Sequence, residues 1–316
     1  MSDKINIVIV GAGNIANSHL EVMSSIKLIN LLGICSRTYA KANNLSKKYN
    51  IKNVSNDYYA FIKKNINYID GIMVLVSVDQ MYSVSKKLIP LGKPIFMEKP
   101  PALSLFKIRA LSKISKKFKT PNMIGMNRRF YSIFEKGKKI IEKKGGLLSL
   151  VIEGHERYNQ IKNKVKPEIL SKWLFANSCH TIDLIRYFGG EVKDFKFTKQ
   201  SKFLKSGDHF SCSLRFLNGS TGTYISNWFS PGGWSVRLYA KDTKIEFNPL
   251  ENGIYTNSKY KKIRIKPNRV DIKFKPGFYN QIKSFIYLIK SKKNIYPSQN
   301  LEEIVKTFET INIINK

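Results

Sequence analysis

Two hydrophobic periods run through this chain, and they divide it. In the first part, short apolar runs alternate with helical stripes. Ile5–Val10 is almost wholly apolar, as expected for a strand buried on both faces. Residues 14–26 place Ile15, Val22, Met23 and Ile26 on one side of a helix. Further strands are predicted at 31–35, near Val54, at 71–76, at 95–98 and at 123–126. Between them lie helical stretches at 40–49, from Asp57, at 79–91, and from a Ser104 cap to about residue 118. This βα alternation predicts an α/β, doubly wound parallel sheet. Past residue 127 the pattern changes. A helix at 133–144 ends at Gly145-Gly146, and 147–158 reads as a long strand. A lysine-rich loop then leads to Trp173 and a helix at 179–188. From 192 to about 264 the periodicity is mostly two, with Asn218-Gly219 as a strong hairpin turn and Lys241-Asp242 as a weaker one. Two closing helices are predicted at 279–289 and 301–314. The expected division is residues 1–127 for the parallel sheet and 128–316 for a second, mainly antiparallel α/β domain.

Composition adjusts this picture at a few points. At 316 residues the chain is long for one core, and its 42% apolar content can fill two. No apolar run approaches the ~20 residues of a membrane helix. The first strand opens at Ile5, so no signal peptide is expected. Cys35, Cys179 and Cys212 are an odd set without metal-ligand spacing, which points to reduced thiols in a cytoplasmic protein and to no metal site. The net charge of +33 raises nucleic-acid or membrane-surface binding. However, the lysines are spread along the whole length instead of clustering on one stretch, and lysine, asparagine and isoleucine together suggest composition drift. Neither a nucleic-acid nor a membrane partner is therefore expected.

The chemistry begins at the first turn. Gly11-x-Gly13-x-x-Ala16 follows a strand and opens a helix, the context a dinucleotide fingerprint requires. Gly11 permits the tight turn, Gly13 lets backbone approach a pyrophosphate, and the helix start at Asn14 and Ile15 supplies N–H donors. At the end of the second strand an NAD-selecting fold usually carries an acid on the ribose. Here Ser36, Arg37 and Lys41 stand instead, a set suited to a 2′-phosphate, so NADP is expected over NAD. Ser77, beyond the fourth strand, joins the predicted cofactor contacts. Glu98-Lys99-Pro100 closes the strand at 95–98, where ligands of such sheets bind. Lys99 can hold or shuttle a substrate proton there, and Glu98 can accept from ribose hydroxyls. In the second half, His180 and Asp183 lie three apart on a predicted helix and can share a face, with histidine as the natural general base. Arg128, His155, Tyr158, Trp173 and Asn177 are candidates for lining a sugar pocket.

These residues resemble the Gfo/Idh/MocA family of glucose–fructose oxidoreductase and inositol dehydrogenase-like enzymes. Gly11 to His19 resembles its GxGxxAxxH opening, Glu98-Lys99-Pro100 its signature, and His180-Thr181-Ile182-Asp183 its HxxD segment. The stretches 75–82, 126–130 and 277–285 are similar to further family segments in the right order. The resemblance implies an N-terminal Rossmann domain and a C-terminal α/β domain with an open, mainly antiparallel sheet, often a dimer or tetramer interface. It implies hydride transfer between nicotinamide and a secondary alcohol of a carbohydrate-like small molecule. Lys99 would be the catalytic lysine and His180 its acid/base partner. Two departures stand out. Ala176 and Ser178 occupy positions where the family often has Asp and Gly, and 78–82 lacks the usual Pro-Asn-x-x-His. The alternative is a non-catalytic NAD(P)-binding sensor on the same scaffold.

Overall fold

The computed structural model describes residues 4–315, which form two units. The first comprises the chain up to Asn127 together with Lys273–Val305. Its sheet is β1 (Ile5–Val10), β2 (Ile29–Cys35), β3 (Asn53–Ser55), β4 (Gly71–Val74), β5 (Ile95–Glu98) and β6 (Asn122–Gly125). The strands are all parallel, in the order β3-β2-β1-β4-β5-β6. This is the doubly wound dinucleotide-binding order, whose reversal between β1 and β4 opens a crevice at the strands' carboxyl ends. Every residue of β4, β5 and β6 is buried, which explains their largely apolar sequences, with Glu98 and Asn122 as buried polar exceptions. The connecting helices are α1 (Asn14–Ser24), α2 (Tyr39–Tyr49), α3 (Tyr58–Lys64), α4 (Val78–Leu88) and α5 (Leu105–Lys117). Asp57 caps α3 through the Tyr59 and Ala60 amides, and Ser104 caps α5 through the Lys107 amide.

The second unit comprises Arg128–Ile272 and the chain from Lys306. Its helices are α6 (Ser132–Lys143), the short α7 (Tyr158–Ile161) and α8 (Pro167–Leu170), and α9 (Cys179–Gly189). Its strands are β7 (Ser149–Gly154), β8 (Val192–Gln200), β9 (His209–Phe216), β10 (Thr221–Asn227), β11 (Trp234–Ala240), β12 (Thr243–Phe247), β13 (Gly253–Asn257) and β14 (Lys262–Ile265). They form one sheet in the order β14-β13-β12-β11-β7-β10-β9-β8. All its pairings are antiparallel except β7 with β10. Strands β7, β9 and β10 alternate buried and less buried positions, as a sheet with one covered face does. Both predicted hairpins form, and Asp242 takes the left-handed conformation in the two-residue turn joining β11 to β12.

The short α10 (Arg269–Lys273), α11 (Phe278–Ser291) and α12 (Leu301–Ile314) complete the chain. A single cut at residue 127 does not describe them, because α11 belongs to the first unit. Its stripe of Phe278, Ile282, Phe285, Leu288 and Ile289 is buried, each side chain contributing about 1.5–3 kcal/mol of hydrophobic stabilisation. Gly71 at the start of β4 leaves room for it: a Cβ there would lie 2.6 Å from Ile289. The predicted strand at 147–158 also needs correction. It ends at Gly154, and Tyr158 opens α7. The helix predicted from residue 179 is preceded by a π-helical turn, Leu174–Ser178.

Candidate functional site

In the first unit a cleft of about 440 Å³ lies at the carboxyl ends of β1, β2 and β4. Gly11, Gly13, Asn14, Ile15, Ser36, Arg37, Lys41 and Ser77 all line it, so the structure brings these predicted residues together. The two glycines differ in their surroundings. Gly11 has φ +116°, and a Cβ on it would sit 2.4 Å from the Leu75 carbonyl oxygen. Only a residue without a side chain lets β1 turn against the exit of β4. Gly13 has φ −86°, and a Cβ on it would meet nothing within 4 Å. Gly13 is also the N-cap of α1, whose start receives no side-chain cap. An uncapped helix start behind an open glycine is what an anionic phosphate fits.

At the ribose end, Ser36 Oγ accepts from the Thr38 amide at 3.3 Å, and Arg37 and Lys41 are exposed. The carboxylate of Asp57, just past β3, is engaged with the α3 amides. Tyr58, which sequence reasoning passed over, also lines the cleft, and burial pushes its hydroxyl up from the ordinary tyrosine value.

Strand β5 carries Glu98 and delivers Lys99, which is half-buried, at its carboxyl end. Glu98 is not available in the way the sequence suggested. It is buried, and its Oε1 lies 2.8 Å from Nε2 of His19 while its Oε2 accepts from the Lys99 amide at 3.0 Å. Neither it nor Lys99 is among the residues lining the cleft, and both of its carboxylate oxygens are engaged by these internal hydrogen bonds. With its amide turned so that the oxygen faces the backbone, Gln281 of α11 accepts from Met126 N–H at 3.1 Å and Asn127 N–H at 3.3 Å.

The second unit gathers a separate polar cluster. The π-helical turn brings Asn177 and Ser178 to Glu156, a buried carboxylate two residues past β7. Asn177 Nδ2 donates to Glu156 Oε2 at 3.0 Å and Ser178 Oγ to Oε1 at 2.7 Å. Such π turns recur at functional sites because they re-aim consecutive side chains. His180 is buried at the start of α9, its ring 6.0 Å from that of Trp234. Arg128 stacks on the same indole, 4.4 Å from its centroid. Burial pulls the Arg128 guanidinium below its ordinary value, while Tyr131, Glu251, Cys179 and Glu156 act in the opposite direction. Glu156 and Trp234 carried no recognisable sequence signal: one lay in an apparent strand, the other past a glycine pair.

The other predicted second-unit residues separate from this cluster. Asp183 is engaged internally. It is buried, receives Arg129 in two hydrogen bonds of 2.6 and 2.9 Å, and accepts from Thr307 Oγ1 at 2.9 Å. Tyr158 stacks on Trp228 and lies tilted against Phe229. His155 Nδ1 accepts from the Asn227 amide at 3.0 Å, which fixes a neutral tautomer, and burial lowers its pKa. Trp173 is half-buried immediately before the π turn. Among the described residues there is no cluster of three or more metal-type ligands, and no helix is long and apolar enough to cross a membrane.

Comparison with known proteins gives a consistent answer. Residues 5–125 match the GFO_IDH_MocA oxidoreductase family, described by its NAD-binding Rossmann fold. The chain is 23% identical over 311 residues to the inositol 2-dehydrogenase of Rhizobium meliloti (strain 1021), covering 92% of this chain and 91% of that protein. Its fold resembles an oxidoreductase from Agrobacterium radiobacter solved with NAD+, L-tartaric acid and magnesium, with TM-score 0.81, 15% identity, and 98% and 94% of the two chains covered. It also resembles a UDP-N-acetylglucosamine 3-dehydrogenase from Acidithiobacillus ferrooxidans, with TM-score 0.78, 13% identity, and 98% and 96% covered. With the fingerprint cleft and the Glu98-Lys99-Pro100 exit in place, these matches place residues 5–125 in the GFO_IDH_MocA oxidoreductase family with its NAD-binding Rossmann fold, and show the whole chain to be similar in sequence to an inositol 2-dehydrogenase.

Proposed function

We propose that this protein is an NADP-preferring dehydrogenase or reductase acting on a secondary alcohol or ketone of a sugar, cyclitol or sugar nucleotide. The observation that carries the reading is the pairing, within one unit, of an open Gly13 at an uncapped helix start with a lysine delivered by β5. The NADP preference rests on Ser36, Arg37 and Lys41 lining the cleft while Asp57 is occupied elsewhere. A cation pair favours a 2′-phosphate, and NAD is the alternative cofactor. The polyol class rests on the inositol dehydrogenase relative and the sugar-nucleotide dehydrogenase neighbour.

When bound, a nicotinamide dinucleotide supplies hydride acceptance and donation. Gly13 and the α1 amides hold its phosphates, and Ser36, Arg37 and Lys41 its adenosine end. Lys99 or His180 takes the substrate hydroxyl proton in oxidation and returns it in reduction. Within the second unit, the Arg128 guanidinium stacked on Trp234 offers hydrogen-bond donors beside an apolar wall, a combination suited to a hydroxylated ring. We further propose that the protein works in the cytoplasm as a homodimer or homotetramer assembled through the eight-stranded sheet.

The test is steady-state kinetics with a panel of cyclitols, aldoses and sugar nucleotides. Lys99→Ala should keep dinucleotide affinity and lose about 10²–10⁴-fold in kcat, the usual contribution of a positioned acid–base group. A Lys99→Ala enzyme with near-normal kcat would remove the assignment. Wild-type binding of dinucleotide without turnover of any panel member would favour the sensor reading instead.

A further inference from the structure

We propose that His19 is a positioning residue for Lys99 and acts through Glu98. The inference rests on the reading that Lys99 moves the substrate proton. Helix α1 buries His19 completely, with Leu20, Val22 and Met23 beside it. Its Nε2 donates to Glu98 Oε1 at 2.8 Å, and Glu98 Oε2 accepts the Lys99 amide at 3.0 Å. Two hydrogen bonds therefore connect an imidazole on the first helix to the backbone of the lysine on the fifth strand.

Each part of this relay is held from outside. The His19 ring lies 4.5 Å from Phe278 of α11 and 5.3 Å, edge-on, from Phe96 of β5. Its Nδ1 is buried with no hydrogen-bond partner among the described residues, so the neutral tautomer protonated at Nε2 suits the site, leaving only a lone pair unsatisfied. Glu98 is walled by β6: a Cβ on Gly125 would lie 3.0 Å from its carboxyl carbon and its Oε1. The carboxylate therefore has one place to be, and that place fixes the Lys99 N–H.

A buried polar pair of this kind stabilises a fold no better than apolar side chains of similar volume. Its particular contribution is direction. The lysine follows the last strand residue, where a small rotation of one peptide would swing its ammonium by more than an ångström. Misplacement on that scale costs on the order of 100-fold in rate.

The experiment uses His19→Leu and His19→Gln in the full-length protein, each also combined with Lys99→Ala. Glutamine keeps an N–H donor near the Nε2 position, and leucine keeps volume without it. Four quantities are read: hydrogen exchange of the Lys99 amide by NMR, NADPH affinity, and kcat and KM for a panel substrate such as myo-inositol. In His19→Leu the Lys99 amide should exchange about tenfold faster, because its acceptor is no longer fixed. Its kcat should fall roughly 10- to 100-fold, with KM and NADPH affinity within about 2-fold of wild type. His19→Gln should restore both amide protection and kcat to within about 3-fold. In the Lys99→Ala background the His19→Leu change should cost no further rate, since coupled residues are not additive.

Unchanged Lys99 exchange in His19→Leu overturns the proposal, as does a rate loss that persists undiminished without Lys99. If His19→Leu does not fold, Gly125→Ala replaces it; this change crowds Glu98 without touching His19 and should give the same exchange and kcat changes. Absence of turnover in the wild-type protein would instead count against the functional reading, and Lys99 amide exchange would then decide the His19 relay by itself.

Discussion

Alanine at position 11 should damage the fold, and alanine at position 13 should damage only the ligand site. At Gly11 two costs add. A side chain at φ +116° is strained by about 1–3 kcal/mol. Its Cβ would also lie 2.4 Å from Leu75 O and 2.5 Å from Leu75 C, both backbone atoms, so β4 must shift at a further cost of about 1–3 kcal/mol. The total of roughly 2–6 kcal/mol lowers the melting temperature by about 2–4 °C per kcal/mol, or roughly 5–20 °C. At Gly13 the backbone is compatible with alanine and the space is open. Weaker N-capping costs about 0.5–1 kcal/mol, and the stiffer unfolded chain returns about 0.4–1 kcal/mol. The melting temperature of Gly13→Ala should therefore stay within about 2 °C of wild type. Its methyl group would occupy the space beside the uncapped helix start, and NADPH affinity should fall at least tenfold, about 1.4 kcal/mol. Thermal unfolding and a fluorescence titration with NADPH read both effects. An unshifted Gly11→Ala melting temperature would refute the packing argument. Wild-type affinity in Gly13→Ala would refute the placement of the phosphates.

Three further outcomes follow from the same structure. Ser36→Asp places a carboxylate at the β2 exit and should reverse the cofactor preference toward NAD by about tenfold or more in kcat/KM; a surviving NADP preference would place the 2′-phosphate elsewhere. Asp183→Asn leaves Arg129 buried beside a neutral amide, and breaking a buried pair of this kind costs about 3–5 kcal/mol. That variant should melt well below wild type yet retain dinucleotide affinity, and an unchanged melting temperature would argue against the buried ion pair. The Cys35 and Cys212 thiols are pushed up from 9.0 to about 12, mainly by burial. Above about pH 9 the unfolded thiols ionise and the folded ones do not, so the unfolded state binds fewer protons and stability falls as pH rises. Iodoacetamide at pH 8 should label neither cysteine until the protein is unfolded, and rapid native labelling would show that they are not buried.

The first sheet was legible because β1, β4, β5 and β6 are almost wholly buried, which forces apolar runs such as Ile5–Val10 and leaves Gly11 and Gly13 as punctuation. The return of α11 was not. Its stripe of Phe278, Ile282 and Phe285 declares a buried face, but nothing in helical periodicity says which sheet that face covers. The cleft residues could be named because a fingerprint places them within a few positions of one another. The contacts that hold Glu98 and Asp183 could not. His19 is 79 positions from Glu98, and Arg129 is 54 from Asp183. The one available hint for His19 was its place among Leu20, Val22 and Met23, since a histidine on an apolar face needs a partner. For Asp183 the three-residue spacing from His180 pointed toward a shared face, but the opposite charge that claims it sits before α6. Glu156 was hidden by a strand prediction that ran through residue 158, four positions past the end of β7 at Gly154.

The central claim is tested most directly by titrating the protein with NADPH and NADH and then adding the panel of cyclitols, aldoses and sugar nucleotides to the same samples. The account predicts saturable binding of both dinucleotides, tighter for NADPH, and turnover of at least one panel member that disappears in Lys99→Ala. Failure of either dinucleotide to bind would contradict the account at the Gly13 cleft, where it begins.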